Sequence, residues 1–523
     1  MAPLDHALVG NGRLLVLVAP GGGVDYAVMP RFDGPPLCSG DGDGHIGVTP
    51  VADVIDRQVR YHPSSNATRA VLTTDAGRVA IDDLGLPPPD PRPEWVRIVR
   101  PLDGPIALRF SFAPRLGAAT PRLTGAGVEI GSLTLRVGPV DRLPPAAVLR
   151  GEPVVLDAPV VLVLADGEPA TPAELPAAEA ALDAALAAGR ARVDRLPLAL
   201  PPLAHRAYSC LLQHIYAHSG LISAGVVSTD AADRPRRLWL RTAADAADAL
   251  LSLGQPEPAL ALLGGLREAA IDGALRPDYA IDPRHPQTGD VTTSPERAGR
   301  VVTLAHRIHS VTGARPSARS YAWIAELVEQ IADLRGRPDR GPWDGPPGAW
   351  TTSHLWSWAT FERGARLARL AGETPRAERW AALAASEATL IRQAIDDVGL
   401  VAATLHDRRL DPAVCVAQRL GFVAPDEPAW LRTLDALHQS ARDGLVPTPV
   451  DSRPLAATLW TAEALARAGW SKRARALYDA VARRANPAGL FAERVDDDDR
   501  PAGRFPSVAV HAAALRAALA LRG

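Results

Sequence analysis

The stretch GPWDGPPGAW, residues 341–350, sets Asp344 directly after Trp343 and covers it with prolines and glycines, so a loop and not a regular element fixes its backbone path. An aspartate so placed is either a proton donor held out to a substrate or the closing residue of a turn. In GLFAERVDDDDR, Glu493 is either a proton acceptor or a surface carboxylate paired with Arg494. The run Asp496–Asp499 reads as a solvated loop, because four adjacent carboxylates cannot converge on one ion, and no metal is expected. His214 and His218 have the i, i+4 spacing of metal ligands but lack the glutamate of an HExxH helix, so they read as structural histidines. Cys38, Cys210 and Cys415 are too far apart for a zinc ribbon and too few for a disulfide framework. No GxGxxG opens a helix and no P-loop lysine exists, so no cofactor is expected.

Such side chains need a scaffold, and the chain changes character along its 523 residues. Residues 1–170 carry short apolar stretches broken by Gly, Pro and Asp, as in RLLVLVAP, ALRFSFAP and PVVLVLADGEP, the pattern of an antiparallel β-sandwich. Residues 171–202 are a linking helix: AELPAAEAALDAALAAGRAR is alanine-rich, with Glu early and Arg late as the helix dipole favours, and prolines follow it. From 203 to 523 the period lengthens. In SYAWIAELVEQIADL, Trp323, Ile324, Leu327, Ile331 and Leu334 share one helical face. Similar segments recur near 206–218, 241–252, 256–270, 353–371, 376–396, 427–441, 453–469, 471–485 and 507–521, spaced like stacked α-hairpins. Chemistry in such an arrangement sits on the loops at one end. The expected class is multidomain, β followed by all-α.

The formal charge is −2, from 57 basic and 59 acidic residues dispersed along the chain, which predicts neither a nucleic-acid nor a membrane partner. The first twenty residues have no basic region ahead of an apolar stretch, and no 18-residue apolar run occurs, so a cytoplasmic location is the expectation. A small-molecule partner and a possible homo-oligomer complete that picture.

Local words, in order and almost end to end, resemble glycoside hydrolase family 15, the glucoamylase, glucodextranase and bacterial trehalase family. LVGNGRLLVLVAPGGGVDYAVMPRFDGP is similar to the family's opening strands, and RPEWVRIVRPLDGPIALRFSFAPR to its later ones. LAATLWTAEALARAG, GLFAERVD and GRFPSVAVHAAALRAAL resemble its closing helices. The resemblance implies an N-terminal β-sandwich and a C-terminal six-hairpin (α/α)6 barrel, with a carbohydrate or glycoconjugate as substrate. It also implies inverting hydrolysis of an α-glycoside by a general acid and a general base on opposite sides of the sugar. PDRGPWDG matches the motif that carries the family's acid, which places Asp344 in that role; GLFAERVD places Glu493 as the base.

The match has departures. Asp344 replaces a glutamate, which draws the carboxyl about 1.5 Å toward the backbone. In RPRRLWLRTAADAADAL the family's Arg–Asp pair, which holds sugar hydroxyls, has become Arg241–Thr242 beside a conserved Trp239, and Arg234, Arg236 and Arg237 replace an aromatic and acidic approach. Arginines pointing inward would suit an anionic substrate. Arg307 in HRIHSVTGAR, Trp343, Ser353, and His354 standing in place of a lysine complete the implied binding set. Trp350 and Trp356 are candidate walls for sugar faces, Tyr279 and Asp282 candidates for a barrel loop, and Asp451 stands near a family glutamate. The altered site keeps two other readings open: a lyase or dehydratase on a sugar or glycoconjugate, and a non-catalytic binding protein.

Overall fold

A computed structural model describes residues 5–39, 44–86, 92–115, 119–196, 200–230, 233–270, 275–283, 294–450 and 453–522. The chain divides into two compact units: Met1–Leu196 with Ser209–Ala217 and Asn486–Leu490, and Pro197–Tyr208 with His218–Ala485 and Phe491–Gly523.

The first unit holds one six-stranded and one eight-stranded antiparallel sheet. Ile106–Ala113 alternates as a half-buried strand must: Ile106, Leu108, Phe110 and Phe112 face the core shared with Val48, Leu72, Ile81 and Leu164. Helix α1 (Pro145–Arg150) ends at Gly151 in a left-handed cap. Helix α2 (Leu175–Asp194), the expected linking helix, lays Ala178 and Leu182 on Ile98, Val161 and Val163, on the far face of the eight-stranded sheet. Strands Glu94–Pro101 and Val160–Asp166 are therefore covered on both faces, which explains their continuous apolar runs.

Helix α3 (Pro202–Gln213) precedes the helices of the second unit. These are α4 (Leu240–Leu251), α5 (Glu257–Ala269), α6 (Pro295–Thr312), α7 (Ala318–Leu334), α8 (Thr351–Ala371), α9 (Thr374–Val398), α10 (Val416–Arg419), α11 (Pro428–Gln439), α12 (Leu455–Arg467), α13 (Ser471–Ala482) and α14 (Val508–Ala520). An inner ring of α4, α6, α8, α10, α12 and α14 closes on itself, α14 packing back on α4. Helices α5, α7, α9 and α13 return against the inner helix each follows, and α11 packs on α12. This is the helical barrel expected.

Two features depart from the periodicity. Helix α6 is missing from the segments read above although it buries Val301, Val302, Leu304 and Ile308; its other inward positions carry Glu296, Arg300 and Arg307. The fifth inner helix, α10, has only four residues; a 3-10 turn, Pro412–Cys415, precedes it, capped by Asp411 Oδ1 accepting from the Ala413 N–H at 2.9 Å.

Candidate active site

The N-terminal ends of five inner helices surround a cleft of about 660 Å³: α4 with Arg241 and Thr242, α6 with Glu296 and Arg297, α8 with Thr352 and Ser353, α12 with Ala456 and α14 with Ala509. Loops carrying Trp239, Trp343, Asp344 and Glu493 complete it. Residues more than a hundred positions apart meet here because all the inner helices begin at the same end of the ring.

The loop bearing Asp344 is stapled at several points. Asp339 and Gly348 exchange both backbone hydrogen bonds, at 3.2 and 2.8 Å. Trp350 packs under it so closely that a Cβ on Gly341 would come within 2.5 Å of the indole, which accounts for the glycine. The Arg241 guanidinium donates to the Pro342 carbonyl, Trp343 Nε1 donates to Asp411 Oδ1 at 3.0 Å, and Arg340 Nη2 donates to the Asp344 carbonyl at 2.8 Å. Asp344 itself is exposed and adopts φ 52°, a left-handed conformation that aspartate tolerates better than most residues.

Glu493 directly precedes the middle strand of a small three-stranded sheet formed by Arg453–Pro454, Arg494–Val495 and Pro501–Ala502. Its backbone N–H donates to the Arg504 carbonyl at 2.9 Å, and its own carbonyl accepts from Leu455 at 3.0 Å. Its carboxylate accepts from the Arg504 N–H at 3.2 Å and from Arg504 Nη1 at 3.4 Å. Arg494 is engaged instead by Asp230, at 2.8 and 3.0 Å, so Glu493 is not a surface partner of its neighbour.

Among the implied binding residues, Trp239, Arg241, Thr242, Trp343 and Ser353 line this cleft with Asp344 and Glu493. Arg307 does not: it lies more than three helical turns into α6, paired with Asp248. His354 does not either; on α8 it faces α9, with Nδ1 2.9 Å from Glu387 Oε2. Arg234, Arg236 and Arg237 are absent from the lining, and Arg237 is held by Asp278. Tyr279 and Asp282 are buried, and Trp350 lies beneath the loop, whereas Trp356 reaches the cleft. Asp451 lies outside the described residues. Asp496 Oδ1 accepts from the N–H groups of Asp498 and Arg500, a turn, and among the described residues no cluster of three metal-ligating side chains occurs.

Three carboxylates near this site escaped sequence reasoning. Glu296 binds Arg241 Nη2 at 2.8 Å and Arg300 Nη2 at 2.8 Å; against the upward push of burial, those charges hold it below the usual carboxylate range. Asp339 lines the cleft with Oδ1 accepting from Ser353 Oγ and the Gly341 N–H, both at 2.8 Å, and burial raises its pKa. Asp411 is wholly buried, and burial pushes it up to about 6. Their only sequence signals were an acid at a helix N-terminus for Glu296 and the D-P helix-start pair for Asp411. Trp460, on α12, joins Trp343 at 6.0 Å between ring centroids and adds to the apolar wall.

No family model matches the chain. It is 28% identical over 210 residues to the trehalase of Mycobacterium tuberculosis, covering 37% of this chain and 31% of that protein. To the trehalase of Thermoplasma volcanium it is 22% identical over 320 residues, covering 54% of this chain and 51% of that one. The matches thus span about a third and about half of the length of these relatives. A bacterial glucoamylase complexed with acarbose superimposes with a TM-score of 0.70 at 14% identity, over 100% of this chain and 94% of that one. The family 15 glucoamylase from Hypocrea jecorina gives 0.50 at 12% identity, over 62% and 71%. The fold is that of the glucoamylases.

Proposed function

We propose that this chain, a divergent relative of glycoside hydrolase family 15, hydrolyses an α-glycosidic bond with inversion, Glu493 activating water as general base and Asp344 protonating the leaving oxygen. The observation that carries the reading is that the two residues rise on separate loops of one sugar-sized cleft, each loop held by its own hydrogen bonds. Trp343, Trp356 and Trp460 supply apolar faces for pyranose rings. Glu296 gives the cleft a carboxylate that Thr242 cannot, delivered from α6 and paired with Arg241. Basic and acidic groups are close to balanced along the lining, which favours a neutral substrate over a uronate.

A second reading assigns the acid role to Asp339. It is favoured by burial, which raises its pKa, and by hydrogen bonds that fix one oxygen and leave the other for a substrate. The test is mass-spectrometric product analysis on neutral and uronic α-glycosides, comparing the protein with Glu493→Gln, Asp344→Asn and Asp339→Asn. Water-added products that vanish with Glu493→Gln establish hydrolysis and the base. Of the two aspartates, the one whose loss spares only substrates with acidic leaving groups is the acid. A product lighter by one water makes the protein a lyase, and no turnover on any glycoside overturns the enzymatic reading.

A further inference from the structure

Below the cleft the barrel axis does not fill with apolar side chains. Helix α6 lines it from Glu296 through Arg300 and Thr303 to Arg307, which lies about 16 Å deeper than Glu296 at 1.5 Å per residue. A cavity of about 140 Å³ occupies this level, and a smaller one of about 30 Å³ shares Arg241, Glu296, Pro342 and Trp460 with the cleft; both are lined by Arg300, Arg419, Arg467 and Arg516. They lie where α10 is cut to four residues, so the shortened inner helix leaves a gap that a full-length helix would close.

Charge within the gap does not balance. Six arginines line the two cavities against four carboxylates, Asp245, Asp248, Glu296 and Glu463. Arg516 takes most of the available oxygens, with Glu463 at 2.9 Å and Asp248 at 2.9 Å. Arg467 Nη2 bonds Glu463 at 2.9 Å, Arg300 holds Asp245 Oδ1 at 2.6 Å, and among the described residues Arg419 pairs with that same oxygen alone, at 3.3 Å. Beside it, both side-chain polar atoms of Gln418, which is 7% exposed, have no hydrogen-bond partner among the described residues, nor has Thr303 Oγ1. Gln418 lines the smaller cavity and Thr303 the larger. Burial, together with the Arg516 charge, lowers the Arg419 pKa to about 10, the mark of a guanidinium short of counter-charge. Buried donors without acceptors are costly, and so is unpaired charge.

We propose that the larger cavity of this gap is a binding site for a small inorganic oxyanion, phosphate or sulfate, held by Arg419 and Arg467 with Thr303 as a neutral donor. Planar guanidiniums with spare N–H groups match a tetrahedral oxyanion. The larger cavity has room for one such ion and not for a sugar. Entry is from the end of the barrel away from the cleft, where the side chains of Arg467 and Arg307 are 48% and 33% exposed. Since Arg300 lines both this gap and the cleft, and bonds Glu296, the ion sets the charge beneath the candidate active site. The site stands on its own whether or not the chain is a glycosidase.

The test uses the full chain and reads no activity in its first arm. Thermal unfolding and titration calorimetry are followed with sodium phosphate and sodium sulfate, against sodium chloride at equal ionic strength. The expected result is a saturable rise in Tm and a saturable heat with the oxyanions alone, weakened at least tenfold in Arg419→Gln and in the more exposed Arg467→Gln. Equal effects of chloride, no saturable heat, or unchanged affinity in both variants would overturn the site. Phosphate that competes with a turned-over glycoside would also overturn it, by putting the anion in the cleft.

Discussion

Arg504 grips Glu493 from two directions, the backbone N–H on Oε2 at 3.2 Å and Nη1 on Oε1 at 3.4 Å, while the same guanidinium lies 4.1 Å over the Trp239 ring. Asp233 completes its coordination at 2.8 and 3.1 Å. Arg504 is thus a positioning residue that ties the proposed base to an aromatic wall. Arg504→Met is expected to lower kcat by on the order of 10²-fold, since a displacement of about 1 Å costs that much. Steady-state kinetics check it: an unchanged kcat with a raised KM alone would assign Arg504 to binding.

Gly503 bears on the same carboxylate. Its φ is +78°, and a Cβ there would stand 2.7 Å from Glu493 Oε2 and 2.8 Å from Arg494 Nη1. Gly503→Ala is expected to combine backbone strain of roughly 1 kcal/mol or more with a loss of activity out of proportion to it. Thermal unfolding and kcat measured together separate the two effects.

Asp411 predicts a pH dependence of stability. Its carboxyl is buried, one oxygen accepting from Trp343 and Ala413 and the other without a partner among the described residues. Burial raises its pKa from 3.8 to about 6, so the folded state holds a proton that the unfolded state releases. Stability therefore falls as pH rises from about 4 to about 6, by roughly 3 kcal/mol at most. Asp411→Asn keeps an acceptor for Trp343 and is expected to flatten this slope; denaturant unfolding at stepped pH reads it.

His511 runs the opposite way. Its Nδ1 is 2.7 Å from the Ser507 carbonyl and its Nε2 accepts from the Phe491 N–H at 3.4 Å, an arrangement that requires the neutral ring and holds the segment leading to Glu493. Burial lowers its pKa from 6.5 to about 4. The stability it contributes is complete above about pH 6.5 and is lost as pH falls toward 4, where the unfolded chain takes up the proton first. His511→Gln is expected to remove that slope while lowering stability at pH 7, measured by urea unfolding at both pH values.

By itself the sequence determined the division into a β half and an α half, because period-2 and period-3.6 burial leave a pattern in any chain that folds around apolar cores. It also determined where Trp343, Asp344 and Glu493 fall on loops, since Gly, Pro and the ends of apolar runs mark loops locally. Only tertiary structure decided which of the named residues meet. Arg307 and His354 sit in words as suggestive as those around Ser353, yet Arg307 lies three turns deeper along the inner stripe of α6 and His354, one residue and about 100° beyond Ser353, faces outward. Glu296, Asp339 and Asp411 became visible only when the ring closed and burial acted on their charges. The charged stripe of helix α6 gained its meaning in the same way: beside the apolar residues it buries, Arg300 meets Asp245 of α4, and Arg419 and Arg516, more than a hundred residues away, line the same cavity.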